Sequence, residues 1–482
     1  MEKISKGFTT FMVTALKILL VCALIASVGF IFTIVYEFNI SAVIVLGISC
    51  STIYLGHKLV KSNISDNKKI GIVLLWAIVI RTLWLLNVNS VPNSDYKTMY
   101  SAAQSFISGD NSMFWGTSYI ARFPHLTMMV LYMGFMRNIF PVENLIAMKA
   151  VNLFLGVTVI LLIYLIIRKI FKNRTYGMYA AIIASIFPPL VTYTGVFCTE
   201  NIAIPFYLLS IYLFIVGIKD KKHWWILSLC GITLAIGNLF RMVALVVVIA
   251  YVMYIILYTT EKVRMKIRNI LVIGASYGLI ICTVSGVLQV LQITEYPLWS
   301  GSEPGITNVL KGTNYESGGA WNPEDAALPE QYNYDYDIIE EKSRDIIVER
   351  LTTTPPVKLF GFYVKKFVLQ WNQGDLAGVF WTERDVPEDE IIVGFGGGGT
   401  GVLQLIYVVV MVLSLIGLFN RKKIDEKPEI KLFHLLLCGY GLMYLITEYQ
   451  SRYAYIVCWL FIILSVVGID SLLKRFNKLE ER

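Results

Sequence analysis

The chain has 482 residues, of which 56% are hydrophobic and only 16% charged, with a mean hydropathy of +0.63. Soluble domains carry nearer a quarter charged residues, so an ordinary soluble fold is excluded and the apolar surplus requires lipid as solvent. The net charge of +8 does not mark a nucleic-acid binder, because Lys and Arg gather in short connections between apolar runs, where they set membrane orientation.

The first apolar run follows Lys3 and Lys6 and continues to about Val35. That is too long for a signal-peptide core, so it reads as a membrane anchor. Runs of about 18 or more apolar residues, each able to cross ~30 Å of hydrocarbon, then recur along the chain. Spans are expected at 11–35, 39–57, 70–89, 146–167, 176–197, 201–218, 224–240, 242–259, 268–292, 401–419, 432–447 and 453–473. The expected fold class is therefore an all-α polytopic membrane protein with about twelve transmembrane helices. With both termini cytoplasmic, the inner connections hold Lys58, Lys61, Lys68 and Lys69, then Arg168, Lys169, Lys172 and Arg174. Lys219, Lys221 and Lys222 come next, then Lys262, Arg264, Lys266 and Arg268, then Arg421, Lys422 and Lys423, and finally Lys474 and Arg475. The opposite connections are nearly free of such clusters, which fixes the expected orientation in the plasma membrane. The apolar stretch 124–140 would invert everything after it if it crossed. Bounded by Pro124 and Pro141, with Arg137 near its end, it is expected to lie in or dip into the outer leaflet.

Two larger outer pieces remain, a loop at 90–145 and a polar segment at 293–400. The latter has turn-rich stretches at Ser300–Gly305 and Gly318–Pro323, and Ile339, Ile346, Ile347 and Leu351 near helical spacing predict a helix over 338–351. After Pro355 and Pro356, VKLFGFYVKKFVLQW is amphipathic enough to rest on the bilayer. GFGGGGTG at Gly394–Gly401 lacks the Lys of a phosphate-binding loop and reads as a flexible lead-in to the next span.

Seven cysteines (Cys22, Cys50, Cys198, Cys230, Cys282, Cys438 and Cys458) lie in apolar runs or at their edges, which leaves no disulfide framework or CxxC zinc site. The four histidines (His57, His125, His223 and His434) are too scattered for an HExxH-type metal site.

Ionisable residues at the edge of a span are candidates for function because they are costly there. On the outer side these are Asp95 in VPNSDYKTMY, Glu200 in FCTENIAIPFY, Arg241 in GNLFRMVAL, and Glu448 and Arg452 in TEYQSRYAY. Each has an ordinary reading as well, as a solvated loop charge or an ion pair between helix ends. Isolation favours function, since Glu200 and Arg241 stand in almost wholly apolar surroundings. A carboxylate near an apolar pocket suits general-base work, and isolated arginines suit a phosphate. Together they suggest attack on a lipid-linked phosphate ester. No Ser/His/Asp arrangement competes, because His125 is the only histidine on the outer side.

SDYKTMYSAAQSFISGD followed by YIARFPHLTMMVLY resembles the first external loop of the GT-C glycosyltransferases, a superfamily that includes protein O-mannosyltransferases and lipid A aminoarabinose transferases. RFPHL, LIIRKIFKNR, CTEN at Cys198–Asn201, FRMVAL at Arg241, EYQSRYAY, and GTNYESGGAWNPED at Gly312–Asp325 are similar to segments of that superfamily. The resemblance is good over 70–260 and loose elsewhere.

It implies an inverting transfer of a sugar from a polyprenyl-phosphate carrier to an acceptor hydroxyl on the extracytoplasmic side. Asp95 would be the general base and Glu200 a second acid. Arg241 and Arg452 would hold the donor phosphate, with Tyr96, Arg122, His125 and Tyr453 as neighbours of the reacting groups. Implied partners are the lipid-linked donor, a cell-envelope glycan, glycolipid or protein acceptor, and membrane lipids; no nucleic acid and no cofactor is expected. The implied organisation is a two-span region at 1–69, a GT-C-like module at 70–292 containing the 90–145 loop, an extracytoplasmic insert at 293–400, and a three-span region at 401–482. Many relatives have two adjacent acids in the first loop, whereas Asp95 stands alone with Asp110 next, so no obligatory metal is expected. A surface-polysaccharide polymerase or ligase using a polyprenyl-diphosphate oligosaccharide is the alternative enzyme, and a flippase the alternative class. The latter predicts charges near midplane and an internal repeat, neither of which the sequence displays.

Overall fold

The computed structural model describes residues 2–34, 40–220, 223–391, 394–395 and 397–480, with the backbone alone for 475–480. Val35 and residue 39 at expected span ends, Lys221, Lys222, Gly396 and the Arg475 side chain lie outside the described residues. The described elements are helical throughout, without a strand, as a multi-pass membrane protein requires when every backbone group in lipid must be satisfied internally.

Among the described residues, seven helices are long and apolar enough to cross a membrane: Glu2–Ile31, Ile40–Lys61, Asp66–Leu86, Asn144–Phe171, Glu200–Gly217, Val263–Val290 and Gly398–Phe419. Two bent pairs raise this to nine, with Arg174–Ile186 joined to Pro188–Gly195 at 62° and Ser451–Val457 joined to Trp459–Lys474 at 60°. The expected count of twelve is therefore not reached. The shortfall is three apolar helices, Trp225–Phe240, Ala244–Tyr258 and Ile430–Ile446, of 16, 15 and 17 residues. At 1.5 Å per residue they measure roughly 23–26 Å, less than the ~30 Å hydrocarbon thickness. A hydropathy pattern registers an apolar run and does not see where the helix stops.

The bend at Phe187–Pro188 has a specific partner. Arg81, fully buried in Asp66–Leu86, donates through Nη2 to the Leu190 carbonyl at 2.9 Å and through Nη1 to those of Ser185 at 3.4 Å and Ala77 at 3.3 Å. A break at Pro frees carbonyls that lipid cannot solvate, and the guanidinium supplies the missing donors. Elsewhere small residues let backbones touch. A Cβ on Gly468 would lie 2.0 Å from the Leu413 carbonyl oxygen, and one on Gly417 2.8 Å from that of Leu464, so Gly398–Phe419 and the last helix pack in direct backbone contact.

The stretch 124–140 forms a short turn, Pro124–Leu126, and a 13-residue helix, Thr127–Ile139, packed on the loop helix Ser94–Ile107. Roughly 20 Å of helix cannot cross the bilayer. Arg137 is tied to this pair by Gln104 and the Tyr100 ring.

The polar segment is seated backbone-to-backbone on the loops. Ser302 N–H donates to Ala121 O at 3.1 Å, Glu448 N–H to Asn308 O at 2.8 Å, and Tyr449 N–H to Gly319 O at 2.9 Å. Gly312 permits one approach, since a Cβ there would meet the Ile446 carbonyl oxygen at 2.4 Å. The expected helix is Tyr336–Thr353, capped by Asp335, which accepts from Ile338 N–H at 3.1 Å. Ile339 is buried and Ile346 and Ile347 pack beside it against Leu310 and Leu328, but Leu351 is exposed. The amphipathic stretch becomes Pro356–Trp371, which does more than rest on a surface. Its start exposes Val357 and Phe360, while Lys366, Phe367, Gln370 and Trp371 enter the core. The lead-in role of the glycine run is also corrected, because Gly398–Gly401 already form the first turn of Gly398–Phe419. Gly399 packs where a Cβ would meet Ser41 Oγ at 2.6 Å.

Candidate active site

Asp95 stands in the first turn of Ser94–Ile107, where exposed N–H groups favour a carboxylate. The helix start is fixed by buried Asn93, whose Nδ2 donates to the Trp381 carbonyl at 3.0 Å and to that of Arg384 at 3.3 Å. Glu200 likewise opens a helix, Glu200–Gly217, and its Oε2 accepts from Thr199 Oγ1 at 3.0 Å. The turn before it is held by Asn201, which donates to the carbonyls of Tyr193 and Val196, both at 2.8 Å, and accepts from Tyr455 OH at 2.7 Å. Arg241 occupies the tight turn after Trp225–Phe240 in extended backbone. Its carbonyl accepts from Tyr207 OH at 2.6 Å, and Asn238 Oδ1 closes the turn by accepting from Ala244 N–H at 3.0 Å. Arg452 lies in the tight helical turn Ser451–Val457.

Tertiary folding joins these four as two ion pairs. Arg452 Nη2 donates to Asp95 Oδ2 at 2.8 Å, and its Nη1 to Tyr96 OH at 3.2 Å. Arg241 Nε lies 3.4 Å from Glu200 Oε1. Both guanidiniums face the Tyr453 ring, at 5.4 Å for Arg452 and 5.1 Å for Arg241, so one aromatic residue links the pairs. Tyr453 OH in turn donates to Glu448 Oε1 at 3.1 Å, which also accepts from Gln450 Nε2 at 3.0 Å. Glu200 is 6% exposed at its side chain and Arg452 10%, while Asp95 is 36% exposed and so reachable by a ligand. His125 is close enough for the fields of Arg241 and Glu200 to act on it. Burial, aided by Arg241, pulls its pKa down to about 4, leaving a neutral imidazole at physiological pH.

Of the nine residues singled out in the sequence, eight gather here: Asp95, Tyr96, His125, Glu200, Arg241, Glu448, Arg452 and Tyr453. Arg122 is engaged elsewhere. Its Nε and Nη2 both bond Glu303 Oε2, at 2.9 and 2.5 Å, so its charge fastens the polar segment to the first loop. Three residues escaped the sequence reading. Trp381, from the polar segment, stacks 4.6 Å from the Arg452 guanidinium and meets Tyr96 edge-on at 5.9 Å. Tyr119 sits beside Asp95, and burial together with that carboxylate raises its pKa. Lys366 sends Nζ to the carbonyls of Gly312 at 2.6 Å, Leu445 at 2.8 Å and Thr447 at 2.6 Å, holding the end of Ile430–Ile446 just before Glu448. Nothing in WTERD or YVKKF distinguishes these side chains from ordinary interfacial ones.

The partners of Asp95 are a guanidinium and phenols, and no three His, Cys, Asp or Glu side chains cluster among the described residues. The group offers two cations balanced by built-in carboxylates, an aromatic wall and one accessible carboxylate.

Residues 125–287, about a third of the chain, match the family model described as dolichyl-phosphate-mannose-protein mannosyltransferase. Among solved structures, the archaeal oligosaccharyltransferase AglB from Archaeoglobus fulgidus, in complex with an inhibitory peptide and a dolichol-phosphate, superposes with a TM-score of 0.50 at 15% identity. The match covers 86% of this chain and 51% of that one. The chain has a GT-C fold. The apo form of the Archaeoglobus fulgidus oligosaccharyltransferase gives a TM-score of 0.49 at 15% identity, over 85% of this chain and 52% of that one. The chain thus spans about half the length of the solved structures it matches, and no curated protein matches it. Within the GT-C fold, the family match takes in His125, Glu200 and Arg241; Asp95, Arg452 and Trp381 fall outside it.

Proposed function

We propose that the chain is an inverting glycosyltransferase that moves a sugar from a polyprenyl-phosphate donor to an acceptor hydroxyl on the outer face of the membrane. The observation that carries this reading is the Asp95–Arg452 pair beside Glu200–Arg241, joined through Tyr453. The family description, which names a dolichyl-phosphate sugar enzyme, supports a lipid monophosphate donor.

In this mechanism the arginines are neutralised by carboxylates while the site is empty. A donor phosphate competes for Arg452 and Arg241, and Asp95 is released as Arg452 turns to the ligand. The acceptor hydroxyl then attacks the anomeric carbon and passes its proton to Asp95. The carbon–oxygen bond to phosphate breaks with its electron pair on the phosphate, where the guanidiniums stabilise the developing charge. Glu200 keeps Arg241 oriented, and the aromatic wall of Tyr96, Trp381 and Tyr453 limits water at an oxocarbenium-like transition state. The same charges, read only as struts between helix ends, predict effects on stability and none on the chemical step.

The test is Asp95→Asn in the purified chain, with donor binding, transfer and thermal stability measured together. Transfer should fall by at least ~100-fold, as loss of a general base requires, with donor binding retained and the protein folded. Full transfer in this variant rejects the role of Asp95. Mass spectrometry of co-purified lipid should find a monophosphate bearing one sugar, and a diphosphate oligosaccharide would favour a polymerase or ligase instead.

A further inference from the structure

Glu200–Gly217 begins at the candidate active site, beside Arg241, and Asn144–Phe171 begins beside Tyr100 of the loop helix that carries Asp95. Their far ends therefore lie roughly 27–42 Å away, on the opposite side of a bilayer. There they part around a cavity of about 540 Å³ lined by Leu165, Arg168, Lys169, Lys172, Tyr212 and Lys219. Cavities of this size accommodate small-molecule groups. Its rim is basic, while Leu165 and Tyr212 lie three and seven residues nearer the bundle centre than Arg168 and Lys219. The floor is thus apolar or amphipathic at lipid depth, and the charges sit at the interface.

Basic residues at helix ends are common on one side of membrane proteins, and each complements a helix C-terminus. Two features go beyond that. The bases line one cavity, Arg168, Lys169 and Lys172 from the end of Asn144–Phe171 and Lys219 from just beyond Glu200–Gly217. Lys219 pairs with Glu429, yet Arg168, Lys169 and Lys172 have no ion pair among the described residues. Bases nearby do find carboxylates: Arg174 bonds Asp66 at 2.6 Å and Lys474 bonds Asp470 at 3.0 Å. Three unbalanced cations beside an open cleft, above an apolar floor, match an amphiphile with an anionic head.

We propose that this cavity binds the phosphate headgroup of an anionic phospholipid, with its acyl chains lying against the two helices. The site is separate from the sugar-transfer reading and its test does not use activity. The full chain, purified and equilibrated with phosphatidylglycerol and phosphatidylcholine, is examined by native mass spectrometry across a salt series. Wild type should retain phosphatidylglycerol preferentially, less so as salt rises. Lys169→Gln and Lys172→Gln should each lower that preference about fivefold. Lys172→Gln combined with Thr175→Lys keeps the charge of the connection, and so its orientation signal, while removing one base from the cavity; it should behave like Lys172→Gln alone. Lys58→Gln, in another basic connection, should change nothing. Equal retention of both lipids, or an unchanged preference in the cavity variants, overturns the proposal. Complete displacement of phosphatidylglycerol by millimolar inorganic phosphate would also overturn it, in favour of a free-anion site.

Discussion

Replacing Arg452 by Lys keeps the positive charge and removes the fork. In the structure that fork reaches two partners at once, Asp95 at 2.8 Å and Tyr96 at 3.2 Å, while its face lies 4.6 Å from Trp381. An ammonium is a point charge with no plane to stack and no fixed pair of donors, so one of the two arms is lost. A hydrogen bond from a charged donor contributes roughly 1.5–3 kcal/mol. If the lost arm holds the donor phosphate in the transition state, kcat/KM should fall roughly 10- to 150-fold, at 1.36 kcal/mol per factor of ten. Arg452→Gln removes the charge as well and should cost about a thousandfold in kcat, the upper end for a single oxyanion-stabilising group. Stability should move little, because Asp95 is about a third exposed and such pairs contribute roughly 0–1 kcal/mol. The assay is transfer from a synthetic polyprenyl-phosphate sugar by protein in lipid nanodiscs, with donor Kd and melting temperature measured on the same sample. Unchanged kcat/KM in Arg452→Lys would refute the assignment. So would a loss of activity matched by an equal loss of folded protein, which would make the residue a strut.

Other expectations follow from the same contacts. His125 has a folded pKa of about 4, below the 6.5 of an unfolded histidine. The unfolded chain therefore binds a proton first as pH falls, and stability should drop between about pH 6.5 and 4 and level off below. A melting-temperature profile should show that decline in wild type and a shallower one in His125→Gln. Arg122→Ala leaves Glu303, 1% exposed at its side chain, with Lys311 at 3.8 Å as its remaining ion-pair partner. Removing one partner of a buried pair costs up to roughly 3–5 kcal/mol, and Lys311 with the Thr307 hydroxyl at 2.7 Å keeps the loss below that, so limited proteolysis should cut within 293–400 faster than in wild type. Gly468→Leu forces a Cβ onto the Leu413 carbonyl, and the variant should fail to elute as a monodisperse species on size exclusion. Arg81→Leu strips donors from the bend at Phe187–Pro188 without touching the site, and should lower melting temperature and transfer together.

Sequence alone determined that this chain lives in a bilayer, where its apolar runs lie, and which ionisable residues stand isolated at their ends. Those conclusions rest on local properties, namely run length, charge clusters and helical spacing. The resemblance to GT-C enzymes was readable for the same reason, through short segments around Asp95, Glu200 and Arg241. Three things were decided only by tertiary structure. Span count depended on where helices stop, as the 16 residues of Trp225–Phe240 show. Pairing depended on contacts across the chain: Asp95 meets Arg452 over a separation of 357 residues, and no period or motif encodes such a distance. The wall supplied by Trp381 and the diversion of Arg122 to Glu303 likewise came from the polar segment folding back over the first loop, and the anchoring of Lys366 from its packing on the end of Ile430–Ile446. A side chain's partner is set by which backbones approach, and at Gly312 and Gly468 that approach is governed by the absence of a Cβ, which becomes informative only once the opposing carbonyl is known.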